Sequence, residues 1–263
     1  MATSGASRDP SLITSDVEWA HRVELAAFYR IVALLGWDEL IFSHISLRVP
    51  GPEKHFLINP FGMLYEEIIA SSLLKIDLEG NLVEPSPWLV NKAGFMIHSA
   101  IHDARQDAHC VLHVHTTAGM AVAQQPKGLQ STSFYSAALY DHLSYHDFEG
   151  SVVTDGEKVR LVQSLGTNNH IILRNHGLLT CGPTPAATFS AMYTLQRACE
   201  VQIAGQAGGD PLIEVPEEIR SEHRSALNQT VKDAPANDMA RVDQMMFDAM
   251  VRRIDRIDPS YKN

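Results

Sequence analysis

The stretch Cys110-Val111-Leu112-His113-Val114-His115-Thr116 constrains this chain more than any other. It is an apolar, strand-like run ending in His-x-His. Side chains of a strand alternate between faces, so His113 and His115 point the same way, about 6–7 Å apart by strand rise. Two imidazoles so placed are spaced to share one metal ion. A third, His176 in Arg174-Asn175-His176-Gly177, precedes a glycine, where the chain can turn tightly and the backbone can come close to a ligand. Three neutral nitrogen donors leave a fourth position open, the arrangement of catalytic rather than structural zinc. Imidazole also suits Fe(II), Mn(II) and Co(II), so the spacing does not name the metal.

The rest of the chain supplies helices and hairpins around that strand. Ser15, with Glu18 three residues on, starts a helix whose stripe runs from Trp19 to Leu35 and stops at Gly36. Alternating segments at 45–49 and 55–59 read as strands on either side of Gly51-Pro52, and Pro60-Phe61-Gly62 as a turn. Residues 65–70 read as one or two helical turns. Segments 73–78 and 82–83 flank Glu79-Gly80-Asn81 as a hairpin. Asn91 caps a helix over about 92–105, and a small-residue helix over 118–123 follows the His-x-His strand. Strands are expected at 143–148, 170–173 and 178–181, a helix at 157–165, and a long helix from Thr184-Pro185 to about Gly205. This mixture predicts helices layered on a largely antiparallel sheet.

Residues 1–14 read as a flexible arm and 15–209 as the folded domain. Residues 210–263 read as a helical extension, with helices at 217–228 and 238–257 and a docking stripe of Met245, Met246, Ala249 and Met250. The net charge of −10 argues against a nucleic-acid footprint, which needs a basic face. Cys110, Cys181 and Cys199 are odd in number and widely spaced, forming neither a disulfide framework nor a metal knuckle. No apolar run reaches the length of a membrane span, and Met1 to Pro10 lacks the apolar core of a secretory signal. A cytoplasmic protein with a small-molecule substrate is the expectation.

Leu112-His113-Val114-His115-Thr116 and Asn175-His176-Gly177-Leu178 resemble the two metal motifs of the class II aldolase/adducin family. The similarity extends to Gly36-Trp37, to Ser43 through Arg48, to Phe56 through Gly62, to Ala93 through His102, and to Tyr145-His146-Asp147, where the chain resembles the adducin head in particular. It covers about residues 15–209. The resemblance implies a three-layer α/β/α domain with a central, mainly antiparallel sheet. It implies a homotetramer with sites near subunit borders. It also implies a divalent metal, usually zinc, that binds substrate oxygens and stabilises the enediolate left when a carbon–carbon bond breaks.

The departures from the family pattern shape the expected chemistry. Sugar-phosphate aldolases of the family carry a catalytic glutamate where this chain has Gly94. Their phosphate grip falls on Ser43-His44, Phe61-Gly62 and Lys92-Ala93 here, so a phosphosugar is not expected. The substrate-binding candidates are His44 and Lys92, which suit a carboxylate, and Phe61 with Gly62, which suit an apolar body. His98, one turn after Gly94, would move the proton in place of the glutamate. Tyr135, with Tyr140 near it, lies where family members supply a tyrosine acid across the subunit border. His102, His109 and His146 read as structural or surface histidines. The expected activity is a metal-dependent lyase-like reaction, aldol cleavage or decarboxylation of a small oxo- or hydroxy-acid. An Fe(II)-dependent oxygenase and a non-catalytic, adducin-like assembly module are the alternatives.

Overall fold

The computed structural model describes residues 15–150, 155–233 and 238–263. The expected N-terminal arm, 1–14, lies outside the described residues. Seven strands form one sheet in the order β3-β2-β1-β4-β7-β6-β5: β1 (His44–Arg48), β2 (Phe56–Ile58), β3 (Leu74–Ile76), β4 (Cys110–Val114), β5 (Leu143–His146), β6 (His170–Leu173) and β7 (Gly177–Gly182). All neighbours are antiparallel except β5 and β6. That parallel pair requires a crossover, and α5 (Asp155–Leu165) provides it.

Helices cover both faces, so the architecture is the expected three-layer α/β/α. On one face α2 (Lys92–Ala104) and α5 pack Ile97, Ile101, Leu161 and Leu165 on Val111, Ile171 and Leu179. On the other, α1 (Asp16–Leu34), α3 (Thr117–Ala123) and α6 (Pro185–Gln206) pack on Ile45, Leu112, Val114 and Leu178. Both faces are buried, and for that reason β4 is apolar at almost every position rather than alternating.

The central helix is anchored through its tyrosine. The Tyr29 hydroxyl, wholly buried, accepts the backbone N–H of Ile45 at 2.9 Å and of Asn59 at 3.1 Å, tying α1 to β1 and to the end of β2. Ser15 caps α1, its hydroxyl accepting the Glu18 N–H at 3.1 Å. The Glu18 carboxylate meets Arg22 at 2.9 Å and Lys75 at 2.8 Å.

Several elements differ from expectation. The five-residue α4 (Phe134–Ala138) had no periodicity long enough to announce it. Residues 65–72 form two separate 3₁₀ turns. The hairpin around Gly80 reduces to β3 and a single bridge between Ile76 and Leu82. In the C-terminal part, α7 (Glu217–Asp233) is longer than expected, and α8 (Asp238–Ile257) lies on α1 and α6. The inward face of α8 is Phe247, Met250 and Ile254, flanked by Met246 and Val251; Met245 and Ala249 face outward. Phe247 sets this rotation by packing its ring edge-on to Phe28 at 5.7 Å.

Candidate metal centre

The three histidines meet because the sheet brings two sharp reversals together. His113, in β4, points to the α2/α5 face with Val111. His115 follows the strand, and Thr116 then caps α3, accepting the Gly119 N–H at 3.1 Å, so the chain turns away immediately after the second histidine. His176 sits in the three-residue turn between β6 and β7, which Asn175 closes with φ of 56°. Asparagine is among the few residues besides glycine that adopt that conformation readily. Gly177, by contrast, is required for space. A Cβ there would stand 2.5 Å from the Val114 carbonyl oxygen and 3.0 Å from the His115 ring.

One imidazole nitrogen from each of His113, His115 and His176 lies within 4.8 Å of the other two. The His113 Nδ1–H donates to the Leu178 carbonyl at 2.9 Å, which leaves its Nε2 as a lone pair. That Nε2 faces His115 Nε2 at 2.7 Å and His176 Nε2 at 3.3 Å. Ligand nitrogens of a tetrahedral ion with bonds of about 2.0–2.1 Å stand roughly 3.3 Å apart, so this donor set fits a divalent metal. Burial, and then each other, hold these imidazoles neutral: His113 lies well below its usual range, and His176 is pushed down to about 4. Neutral imidazole is the form that ligates.

His44 completes the inner wall. It pairs in register with His113, and the two rings meet edge to face at 5.7 Å. Its Nε2–H donates to the Gly94 carbonyl at 2.7 Å, and its ring fills the space in front of that residue. A Cβ on Gly94 would stand 2.6 Å from His44 Cε1. The space beside Gly94 of α2 is therefore filled by an imidazole from β1.

Behind His44 lies His98, its ring tilted 32° to that of His44 with centres 4.3 Å apart, and wholly buried. Ser46 Oγ bridges His98 Nδ1 and His102 Nε2, each at 2.7 Å, while His102 Nδ1–H donates to the Ala108 carbonyl at 2.8 Å. This network fixes every tautomer in turn. His102 Nε2 must accept, Ser46 must donate to it, and His98 Nδ1–H must donate to Ser46. His98 Nε2 is left as a buried lone pair with no hydrogen-bond partner.

That chain of neutral groups predicts an acid-sensitive fold. Burial pushes His102 down to about 3, whereas an unfolded histidine titrates near 6.5. Its contribution is therefore complete above about pH 6.5. It is lost as pH falls toward 3, at up to about 1.4 kcal/mol per pH unit. Urea unfolding of metal-free protein between pH 7.5 and 4.5 should give a steeper loss of stability for the native chain than for His102→Asn; equal slopes would contradict the assignment.

The three histidines open into a cavity of about 540 Å³, where His44 and Gly94 also line the wall. The other expected site residues lie elsewhere. His98 is screened by His44. Lys92 is exposed and donates to Asn81 Oδ1 at 2.8 Å. Phe61 packs on Phe42, ring centres 6.4 Å apart, and it is Phe42 that reaches the cavity. Gly62, with φ of 104°, serves the turn. Tyr135 packs against the main core on α4 and lines no part of this cavity in its own chain. Residues that sequence reasoning left aside line it instead: His146, Glu157, Phe148 and Arg174. Position was the available signal for His146 and Arg174, because both stand at strand ends on the edge where His115 and His176 emerge.

The family model described as Class II Aldolase and Adducin N-terminal domain matches residues 23–203. A Pseudomonas aeruginosa protein assigned by name alone to aldolase class 2 is 48% identical over 248 residues, covering 94% of each chain. Alpha-adducin of Mus musculus is 38% identical over 243 residues, which is 90% of this chain and 33% of the adducin. Among solved structures, an aldolase II superfamily protein from Pseudomonas syringae superposes with a TM-score of 0.89 at 40% identity, covering 95% of this chain and 98% of the other. An L-fuculose 1-phosphate aldolase from Glaciozyma antarctica gives 0.80 at 27%, covering 97% of each.

Proposed function

We propose, because this chain belongs to the class II aldolase and adducin family, that it is a metal-dependent lyase acting on a small oxo- or hydroxy-acid, by aldol cleavage or decarboxylation. The observation that carries this is the convergence of three neutral imidazole nitrogens on the wall of a cavity of about 540 Å³. Class II aldolases depend on a divalent metal, and we assign His113, His115 and His176 as its ligands, with zinc as the ion. Such an ion, when bound, supplies Lewis-acid stabilisation of negative charge developing on a substrate oxygen.

The cavity's own charges support a substrate without a phosphate. Arg174 is the sole lysine or arginine lining it among the described residues, and that guanidinium is already engaged. It donates to the Gln125 carbonyl at 2.7 Å and lies 4.2 Å from the Tyr145 ring centre. Three carboxylates, those of Glu39, Asp147 and Glu157, line the same space. Beside the metal, a phosphate dianion would find three carboxylates and one guanidinium that is already engaged, so the protein offers it no second anchor of its own. Phe42, Ile97, Met120 and Leu161 offer an apolar wall to the substrate's far end. A homotetramer, in which Tyr135 of one chain serves a neighbour's site, completes the proposal.

The test uses purified protein reloaded with Co²⁺, whose visible spectrum reports the ligand set. Hydroxypyruvate should perturb that spectrum at concentrations about tenfold or more below phosphoglycolate. Tighter binding of the phosphorylated acid would overturn the substrate class, and absence of bound cobalt would overturn the metal centre.

A further inference from the structure

The proposed reaction needs a group that moves a proton on carbon, and Gly94 carries none. His98 is shut behind His44, and His44 Nε2 is committed to the Gly94 carbonyl. Of the remaining titratable groups lining the cavity, Glu39 and Asp147 are exposed, as ordinary surface acids are. Two are not. His146 and Glu157 are both 7% exposed, one at the end of β5 and the other in the first turn of α5.

These two face each other across the cavity wall. His146 Nε2 lies 4.0 Å from the Glu157 carboxylate and 3.9 Å from that of Glu149, and it has no hydrogen-bond partner although it is buried. Its other nitrogen is held by Ser164 Oγ at 3.1 Å, so the ring is oriented from behind. Glu149 is paired with Arg160 at 2.7 Å, and Glu157 is the more buried of the two carboxylates beside the imidazole. The backbone ties this pair to the metal-site turn. The Arg174 N–H donates to the His146 carbonyl at 2.8 Å, and two residues beyond His146 the Phe148 ring stands 6.1 Å from that of His176. A buried imidazole with one nitrogen anchored and the other bare beside a carboxylate is the arrangement of a general base.

We propose that His146 is the proton-transfer residue of this cavity and that Glu157 is its positioning and charge-stabilising partner, an inference that rests on the lyase reading above. In the step assigned to them, His146 Nε2 takes a proton from the carbon next to the substrate carbonyl. The C–H electrons form the enediolate double bond, the carbonyl electrons pass to oxygen, and the Glu157 charge stabilises the imidazolium. Return of the proton to carbon closes the cycle without oxidant or reductant.

The experiment follows exchange of carbon-bound hydrogen for deuterium in hydroxypyruvate and hydroxyacetone, by proton NMR in D₂O, with the full Co²⁺-loaded chain. Native protein should exchange at least one probe. His146→Gln should slow that exchange ~100-fold or more while keeping its cobalt spectrum. Glu157→Gln should slow it by about tenfold, and Glu157→Asp, which keeps the charge, should restore most of the lost rate. A role confined to packing would leave the isosteric Glu157→Gln near native and make the shorter Glu157→Asp the more impaired. Exchange in cobalt-bound His146→Gln within about threefold of native, or slower exchange in Glu157→Asp than in Glu157→Gln, overturns the assignment. A cobalt-bound native protein that exchanges neither probe overturns the lyase reading itself, and this inference with it.

Discussion

Replacing His176 by alanine is expected to take bound divalent metal from about one ion per chain to none, and His113→Ala to do the same. The two variants separate ligation from folding. His113 is buried, and its removal also strips the Leu178 carbonyl of a donor, so some loss of stability accompanies the loss of metal. His176 is only partly buried in an exposed turn, and its Nε2 is directed at His113. Its alanine variant should therefore fold with near-native stability in the absence of metal. Elemental analysis and thermal unfolding read both consequences. Added zinc at ~100 times its dissociation constant should stabilise the native chain by about 2.7 kcal/mol and leave His176→Ala unmoved. His109→Ala, at an exposed position beside the same strand, is the control and should bind metal normally. Retention of stoichiometric metal by the double variant of His113 and His176 would defeat the centre assigned here.

Those ligands were legible because local geometry alone orients them. A period of two puts His113 and His115 on one side, and Asn175-His176-Gly177 marks a turn by its composition. Register supplied what the sequence could not. That β4 lies beside β7, so that the turn holding His176 ends next to His115, follows from strand order, which no single segment encodes. His44 was legible only through the resemblance, as a position of the phosphate grip; that it pairs with His113 is a matter of register. Lys92 and His98 show the opposite case. Each is placed by its helix near the site, yet one side chain swings to Asn81 and the other is roofed over by His44. Such choices depend on what else fills the neighbouring space. The missing glutamate at Gly94 was visible as a gap, but that His44 fills it depends on how α2 packs against β1. Glu157 was hidden for a further reason. It stands on a helix whose strand, β5, pairs in parallel across a crossover, and neither periodicity nor turn residues reveal which helix will roof a cavity.

Gly177 carries the second large expectation, and it distinguishes two reasons for a glycine beside a metal ligand. If the residue served only to let the turn adopt a left-handed conformation, alanine would be strained by backbone angle. Here Asn175 supplies the positive φ and Gly177 has none. Its requirement is contact: an added Cβ meets the Val114 backbone oxygen at 2.5 Å, with the His113 ring a further 3.3 Å neighbour. A backbone oxygen inside a seven-stranded sheet cannot swing aside as a side-chain tip can, so β4 and β7 must part where their two sets of ligands converge. Gly177→Ala should therefore destabilise the fold by about 1–3 kcal/mol and weaken metal binding ~10–100-fold, although no ligand atom is removed. Gly208→Ala is the matched control, since its Cβ would sit an ordinary 3.6 Å from the Gly205 carbonyl at the end of α6. Urea unfolding of both metal-free variants, with competition for zinc against a chromophoric chelator, gives the two numbers. If Gly177→Ala matched Gly208→Ala in both, the close approach of the two strands would not be what holds His176 against His113 and His115. The third ligand would then be positioned by the Asn175 turn alone.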